Sequence, residues 1–166
     1  MNRVTSLGKD LLIEFGVLGK AVPWKAPTVT RWSTFKSKRL VAWQEQIAEQ
    51  AILVWQGQTP YSGPVEVHFW FVHRRSRIRD LLLWFCKRPD MDNVFKAFAD
   101  TITGQACKKS TILANRGQEQ ILSDDNTIVS IHASKQYGER DGIYASIWTL
   151  PGSGPALPGF FNQEQS

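Results

Sequence analysis

At 166 residues the chain fits one domain, long enough to build a core without disulfide or metal staples. An ordinary apolar content with seven tryptophans and nine phenylalanines excludes wholesale disorder. The two cysteines, Cys86 and Cys107, have no companion at disulfide-framework or zinc spacing. Lys and Arg number 20 against 15 Asp and Glu, a formal charge of +5, which is compatible with a nucleic-acid partner without demanding one.

Taken in chain order, residues 1–10 carry Arg3, Lys9 and Asp10, and the apolar run behind them is interrupted by Glu14 and two glycines. That is too short and too polar for a signal peptide or a membrane span, so a soluble, cytoplasmic protein with no membrane partner is expected. Leu11, Ile13, Phe15 and Val17 alternate with other residues and predict a strand. Gly16, Gly19, Pro23 and Pro27 end it. In the following loop, residues 20–32, Lys20, Lys25 and Arg31 are interleaved with Trp24 and Trp32. Such a mixture suits either a nucleic-acid strand or tryptophans that cover the edge of the core.

Ser33 or Ser37 can cap a helix running to about residue 56, with Leu40, Trp43, Ile47, Ala51 and Val54 on its apolar face and Gly57 as its stop. Lys36, Lys38 and Arg39 in its first turns oppose the helix dipole, an arrangement that a phosphate would favour. Val65, Val67, Phe69 and Phe71 alternate in a second strand, which leads into His73 and the arginines Arg74, Arg75, Arg77 and Arg79. Like charges so close together call for an anion or neighbouring acids to balance them. The apolar run over 81–86 reads as an extra strand or a docking surface, and Lys87-Arg88-Pro89 follows it.

The next helix is expected to be capped by Asp92 or Asn93, to bury Val94, Phe95, Phe98 and Ile102, and to end at Gly104. Asp92, Lys96 and Asp100, spaced by four, form a polar stripe away from the core. Residues 105–122 read as a polar loop or hairpin. Alternation predicts a third strand from Ile128, a turn over 138–142 and a fourth strand from Ile143. The expected fold is α/β (α+β), a small mixed β-sheet of about four strands packed with two main helices. It spans a domain of residues 1–150, and the Pro- and Gly-rich residues 151–166 are expected to form a disordered tail.

Chemistry concentrates in Asp90-Met91-Asp92-Asn93, Lys96 and Asp100, followed downstream by Asp124-Asp125-Asn126. Acids at a helix start, a lysine one turn on and a second acidic pair can hold a divalent ion against a phosphodiester, and a few oxygen ligands suit Mg²⁺. A calcium loop is excluded, because Val94 stands at its fifth position and its Gly and distant Glu are missing. No Gly-rich phosphate loop is present. Each piece taken alone is commonly structural: a helix cap, an ion pair across one turn, a turn before a strand. Their combination with the arginine run and Lys87-Arg88 points to a metal-dependent nuclease.

The run Lys87-Arg88-Pro89-Asp90-Met91-Asp92-Asn93-Val94-Phe95-Lys96, continuing to Asp100 and then to Asp124-Asp125-Asn126-Thr127-Ile128, resembles the motif of the RusA-like Holliday junction resolvases. The resemblance implies a small α/β homodimer that cuts branched DNA, the four-way junction above all, with Mg²⁺ or Mn²⁺. It implies metal-binding carboxylates at Asp90, Asp92 and Asp125, with Asp124 beside them, and an essential lysine at Lys96. Arg74, Arg75, Arg77, Arg79, Lys87 and Arg88 are then the expected DNA-backbone contacts. A nuclease for flaps or forks, and a DNA-binding module of the same fold without catalysis, are the rival expectations.

Overall fold

The computed structural model describes residues 8–26, 28–29, 31, 34–35, 37–75, 84–104 and 120–151. The elements run β1 (Leu11–Leu18), β2 (Thr28–Val29), β3 (Thr34–Phe35), α1 (Lys38–Trp55), β4 (Val65–Arg74), α2 (Met91–Ile102), a 3₁₀ turn (Asp125–Thr127), β5 (Ile128–Gly138) and β6 (Gly142–Thr149). Four strands form a mixed sheet in the order β1-β6-β4-β5, while β2 and β3 make a separate small hairpin. β6 is antiparallel to both β1 and β4, whereas β4 and β5 are parallel. Parallel neighbours need a crossover, and α2 lies within it.

The period of two divides the sheet into unlike faces. Ile13, Phe15 and Val17 from β1, Val65, Val67, Phe69 and Phe71 from β4, and Ile143, Ala145 and Ile147 from β6 are buried together on one face. Both helices cover it. α1 contributes Leu40, Trp43, Ile47, Ala51 and Trp55, and α2 contributes Val94, Ala97, Phe98 and Ile102. The Phe98 ring lies 5.0 Å from that of Phe69 and 6.0 Å from that of Phe15. Buried Gln44 ties the helices together, its Nε2 donating to Ala97 O at 3.1 Å, so the polar group inside the core is satisfied. The opposite face carries Glu66, His68 and Trp70 on β4, Ser146 and Trp148 on β6, and Ser130 and His132 on β5, paired across the strands.

Several expectations need adjustment. Ser37 caps α1, its Oγ accepting from Leu40 N, but Val54 is exposed and Trp55 takes the buried place at the end of the helix. Gln56, in the left-handed region at φ 54, precedes the expected stop at Gly57. The cap of α2 is Asp90, in extended conformation, rather than Asp92 or Asn93. All three have the short polar side chain that caps favour, and Met91, half-buried against the core, draws the first turn forward. Phe95 is only half-buried, and Ala97 lies at the helix centre of the core. Ile121 and Leu122, expected within a polar loop, are fully buried, and the Leu122 and Ile121 N–H groups both donate to Ile102 O. Among the described residues no helix is long and apolar enough to cross a membrane. The tail beyond residue 151 and the bulk of the 105–122 segment lie outside the described residues.

Candidate active site

The approach to the acidic motif is fixed by the edge of the sheet. Trp84 makes an antiparallel bridge to Gln136 on β5, and Phe85 N donates to Lys135 O at 3.1 Å. The described end of the apolar run over 81–86 therefore behaves as added strand, with residues 81–83 outside the description. Buried Phe85 meets the edges of Phe71 and Tyr137. Lys135 crosses over the Phe85 ring and donates from Nζ to both Lys87 O and Pro89 O, each at 2.6 Å. An ammonium shared by two carbonyls clamps the peptide just before Asp90, through hydrogen bonds of the charge-assisted kind. The Arg88-Pro89 peptide is cis.

Asp90 then caps α2 with its backbone alone, making no side-chain cap hydrogen bond. Its exposed carboxylate is not used to close the helix start. Asp92 lies in the first turn and is exposed as well. Lys96, one turn further, is exposed and holds its ammonium over the Trp24 ring, 5.2 Å from the centroid. Trp24 is tied to the same helix, since its N–H donates to Asn93 O at 2.8 Å. Beside this turn opens a cleft of about 730 Å³ whose walls include Lys20, Lys25, Arg39 and Arg88, with Asp90 and Trp24. Four cations and a flat ring around one acid suit a polyanion with bases to stack, and the cleft joins the loop after β1 to the start of α1.

The second acidic pair is differently employed. Asp124 caps the 3₁₀ turn, its Oδ1 accepting from Asn126 N at 2.8 Å and its carbonyl from Thr127 Oγ1 at 2.6 Å. Asp125 is exposed on that turn. Both follow Leu122 closely, and Leu122 is bonded to Ile102 at the end of α2. Asp90 and Asp92 stand at the start of α2, whereas the segment leading to Asp124 and Asp125 is bonded at Leu122 to the other end of that helix. Among the described residues, the one group of three ligand-bearing side chains within 4.8 Å of one another is Glu66, His68 and His132 on the outer sheet face, not these aspartates.

Of the expected backbone contacts, Lys87 and Arg88 are exposed beside Asp90, and Arg74 is exposed at the end of β4. The Arg74 N–H donates to Asp141 Oδ1, and the Arg75 N–H to Gly138 O. Arg77 and Arg79 lie outside the described residues. Sequence reasoning missed Lys135, whose clamp depends on the β5 edge lying against residues 84–89. It also missed that Lys20 and Arg39 line one cleft with Asp90, which only the folding of the loop after β1 and the start of α1 beside α2 reveals.

A mixed four-stranded sheet with two helices on one face defines an α+β protein, and it presents an exposed Asp-x-Asp at the start of its crossover helix. The model of the family described as endodeoxyribonuclease RusA matches residues 19–147, which takes in every strand from β2 onward except the end of β6. The chain belongs to the RusA endodeoxyribonuclease family. No curated protein matches it.

Proposed function

We propose that this chain is a metal-dependent endonuclease that resolves four-way DNA junctions by phosphodiester hydrolysis, acting as a homodimer. The observation that carries the reading is the exposed pair Asp90 and Asp92 at the start of α2, uncommitted to capping by side chain, in a chain of the endodeoxyribonuclease RusA family. The donor set fits a hard cation. Asp90, Asp92 and Asp125 offer carboxylate oxygen, the preference of Mg²⁺ and Mn²⁺, and all three are exposed to ion and DNA. Bound there, the ion would supply an activated water at neutral pH and offset the charge that grows on the scissile phosphate.

The protein's own groups do the rest. Lys96, backed by the Trp24 ring, presents a compact positive charge to the phosphate under attack. Lys87, Arg88 and the cations of the cleft hold the flanking backbone, giving affinity without sequence readout. The three aspartates do not form one cluster within the described chain, which supports a homodimer in which Asp125 of one protomer completes the ligand set of the other. Paired cuts in a junction with matching arms then follow from the twofold axis.

The test is a panel of labelled four-way junctions, flaps, forks and linear duplexes incubated with Mg²⁺, with Mn²⁺ and with chelator. Symmetric metal-dependent cuts in the four-way junction are expected, and Asp92→Asn should bind the junction while its cleavage is almost abolished. Preferential cutting of flaps or forks would move the substrate to other branched DNA. Tight junction binding without cleavage in either metal would leave a binding module of the same fold.

A further inference from the structure

The outer face of the sheet carries a second cluster of ligand-type side chains, remote in character from the aspartates. Glu66 and His68 are two residues apart on β4 and therefore share a face, and the parallel register sets His132 of β5 beside His68 and Ser130 beside Glu66. The imidazole centroids of His68 and His132 are 4.8 Å apart. His68 Nε2 is 2.8 Å from Glu66 Oε1, and His132 Nε2 is 3.4 Å from Glu66 Oε2. One ligand atom from each residue can thus be chosen so that all three lie within 4.8 Å of one another.

We infer that Glu66, His68 and His132 form a binding site for a transition-metal dication of the zinc class, separate from the Mg²⁺-type aspartate site. Bonds of about 2.0–2.2 Å to His nitrogen and carboxylate oxygen in a tetrahedral site place neighbouring ligand atoms about 3.4 Å apart, within the range of separations found here. Two imidazoles select zinc, nickel or copper over magnesium, whose preference is for oxygen. Three protein ligands leave a fourth corner for water. Access is graded: the His132 side chain is 63% exposed, that of His68 32%, and that of Glu66 10%. An ion can enter past His132 and find its carboxylate already oriented, because Ser130 Oγ donates to Glu66 Oε2 at 3.2 Å.

A competitor for that carboxylate is built into the chain. Lys9 Nζ donates to Glu66 Oε1 and Oε2 at 2.9 and 3.0 Å, and a dication bound to the same oxygens would repel it. Metal binding and the Lys9 contact therefore compete, and the ion would weaken the hold of Lys9 on Glu66. The ion would take the place of the proton between His68 Nε2 and Glu66, and the imidazole would bind as a neutral ligand with its proton on Nδ1.

Zinc titration of the tag-free full-length chain, followed by calorimetry and by competition with a chromophoric chelator, tests the assignment. One ion per chain is expected to bind at this site, with no competition from excess Mg²⁺. His132→Ala, at an exposed position, should weaken that binding about tenfold or more, since even loss of a supporting partner can cost that much, and His68→Gln should do the same. Lys9→Met should tighten it, while Asp92→Asn leaves it unchanged. Zinc binding equal to wild type in both histidine variants, each shown to be folded by circular dichroism, would overturn the site. So would a wild-type chain that binds no zinc, or a Lys9→Met chain that binds it no more tightly than wild type.

Discussion

Glu66 is held by hydrogen bonds that only its charged form can keep. Burial works against the carboxylate, yet the donors Lys9, His68 and Ser130 outweigh it and lower its pKa from 4.5 to about 2. A depressed folded pKa means that the unfolded chain binds the proton more readily, so this contribution to stability is complete above about 4.5 and is lost as pH falls toward about 2. In metal-free protein, urea midpoints should fall over that window, and Glu66→Gln should lie below wild type at neutral pH and converge with it at the acid end. A pH dependence identical in the two proteins would remove Glu66 from this role. Lys96 poses a different test, because its ring contact and its proposed phosphate contact separate cleanly. Lys96→Ala should cost about 0.5–1 kcal/mol of stability through the lost cation–π contact, whereas cleavage should fall by orders of magnitude while junction binding in Ca²⁺ changes much less. A variant that cuts at the wild-type rate would show that this ammonium serves only Trp24.

At the scale of elements, the clamp from β5 to the start of α2 is the connection on which Asp90 depends. Lys135→Met keeps the aliphatic stem over Phe85 but removes both donations to Lys87 O and Pro89 O. Hydrogen bonds to a charged group are each worth about 1.5–3 kcal/mol, so the variant should lose stability of that order in denaturant titration and also cut more slowly. Equal loss of cleavage at a temperature where it remains fully folded would mark the clamp as positioning rather than merely stabilising. Unchanged cleavage there would show that the motif keeps its place without it. The same elements show what the sequence could disclose. Strands β1, β4 and β6 were legible because their core residues fall at every second position, β5, which buries no residue fully, by its alternation alone, and α1 because Ser37 and its apolar spacing agree. The start of α2 was less so, since Asp90, Asp92 and Asn93 offer the same cap chemistry and only the packing of Met91 separates them. Ile121 and Leu122 form too short an apolar pair to carry a period. The meeting of Glu66 with His68 and His132 was hidden for another reason: it requires the parallel register of two strands far apart in the chain.

For the whole molecule, the division of the proposed ligands between the start of α2 and the turn before β5 makes the proposed dimer testable without a structure of it. Mixing inactive Asp92→Asn and Asp125→Asn chains under conditions of subunit exchange should restore cleavage if each site draws on two protomers, because one of the two sites in a mixed dimer then keeps all its acids. If each site belongs to one chain, every site in the mixture carries a substitution and no activity returns. The order β1-β6-β4-β5 has a consequence of its own. The last strand among the described residues, β6, lies between β1 and β4, and the Tyr144 hydroxyl of β6 donates to Glu14 of β1 across 130 positions of sequence. Until β6 emerges, β1 has no neighbour in the sheet and the inner face lacks Ile143, Ala145 and Ile147. A ribosome-bound chain halted before Gly142 is therefore expected to remain protease-sensitive, and completed chains to refold on the slower side, as such distant pairings demand. The scaffold that carries Asp90 is therefore expected to stay open until the whole of β6, through Thr149, has left the ribosome.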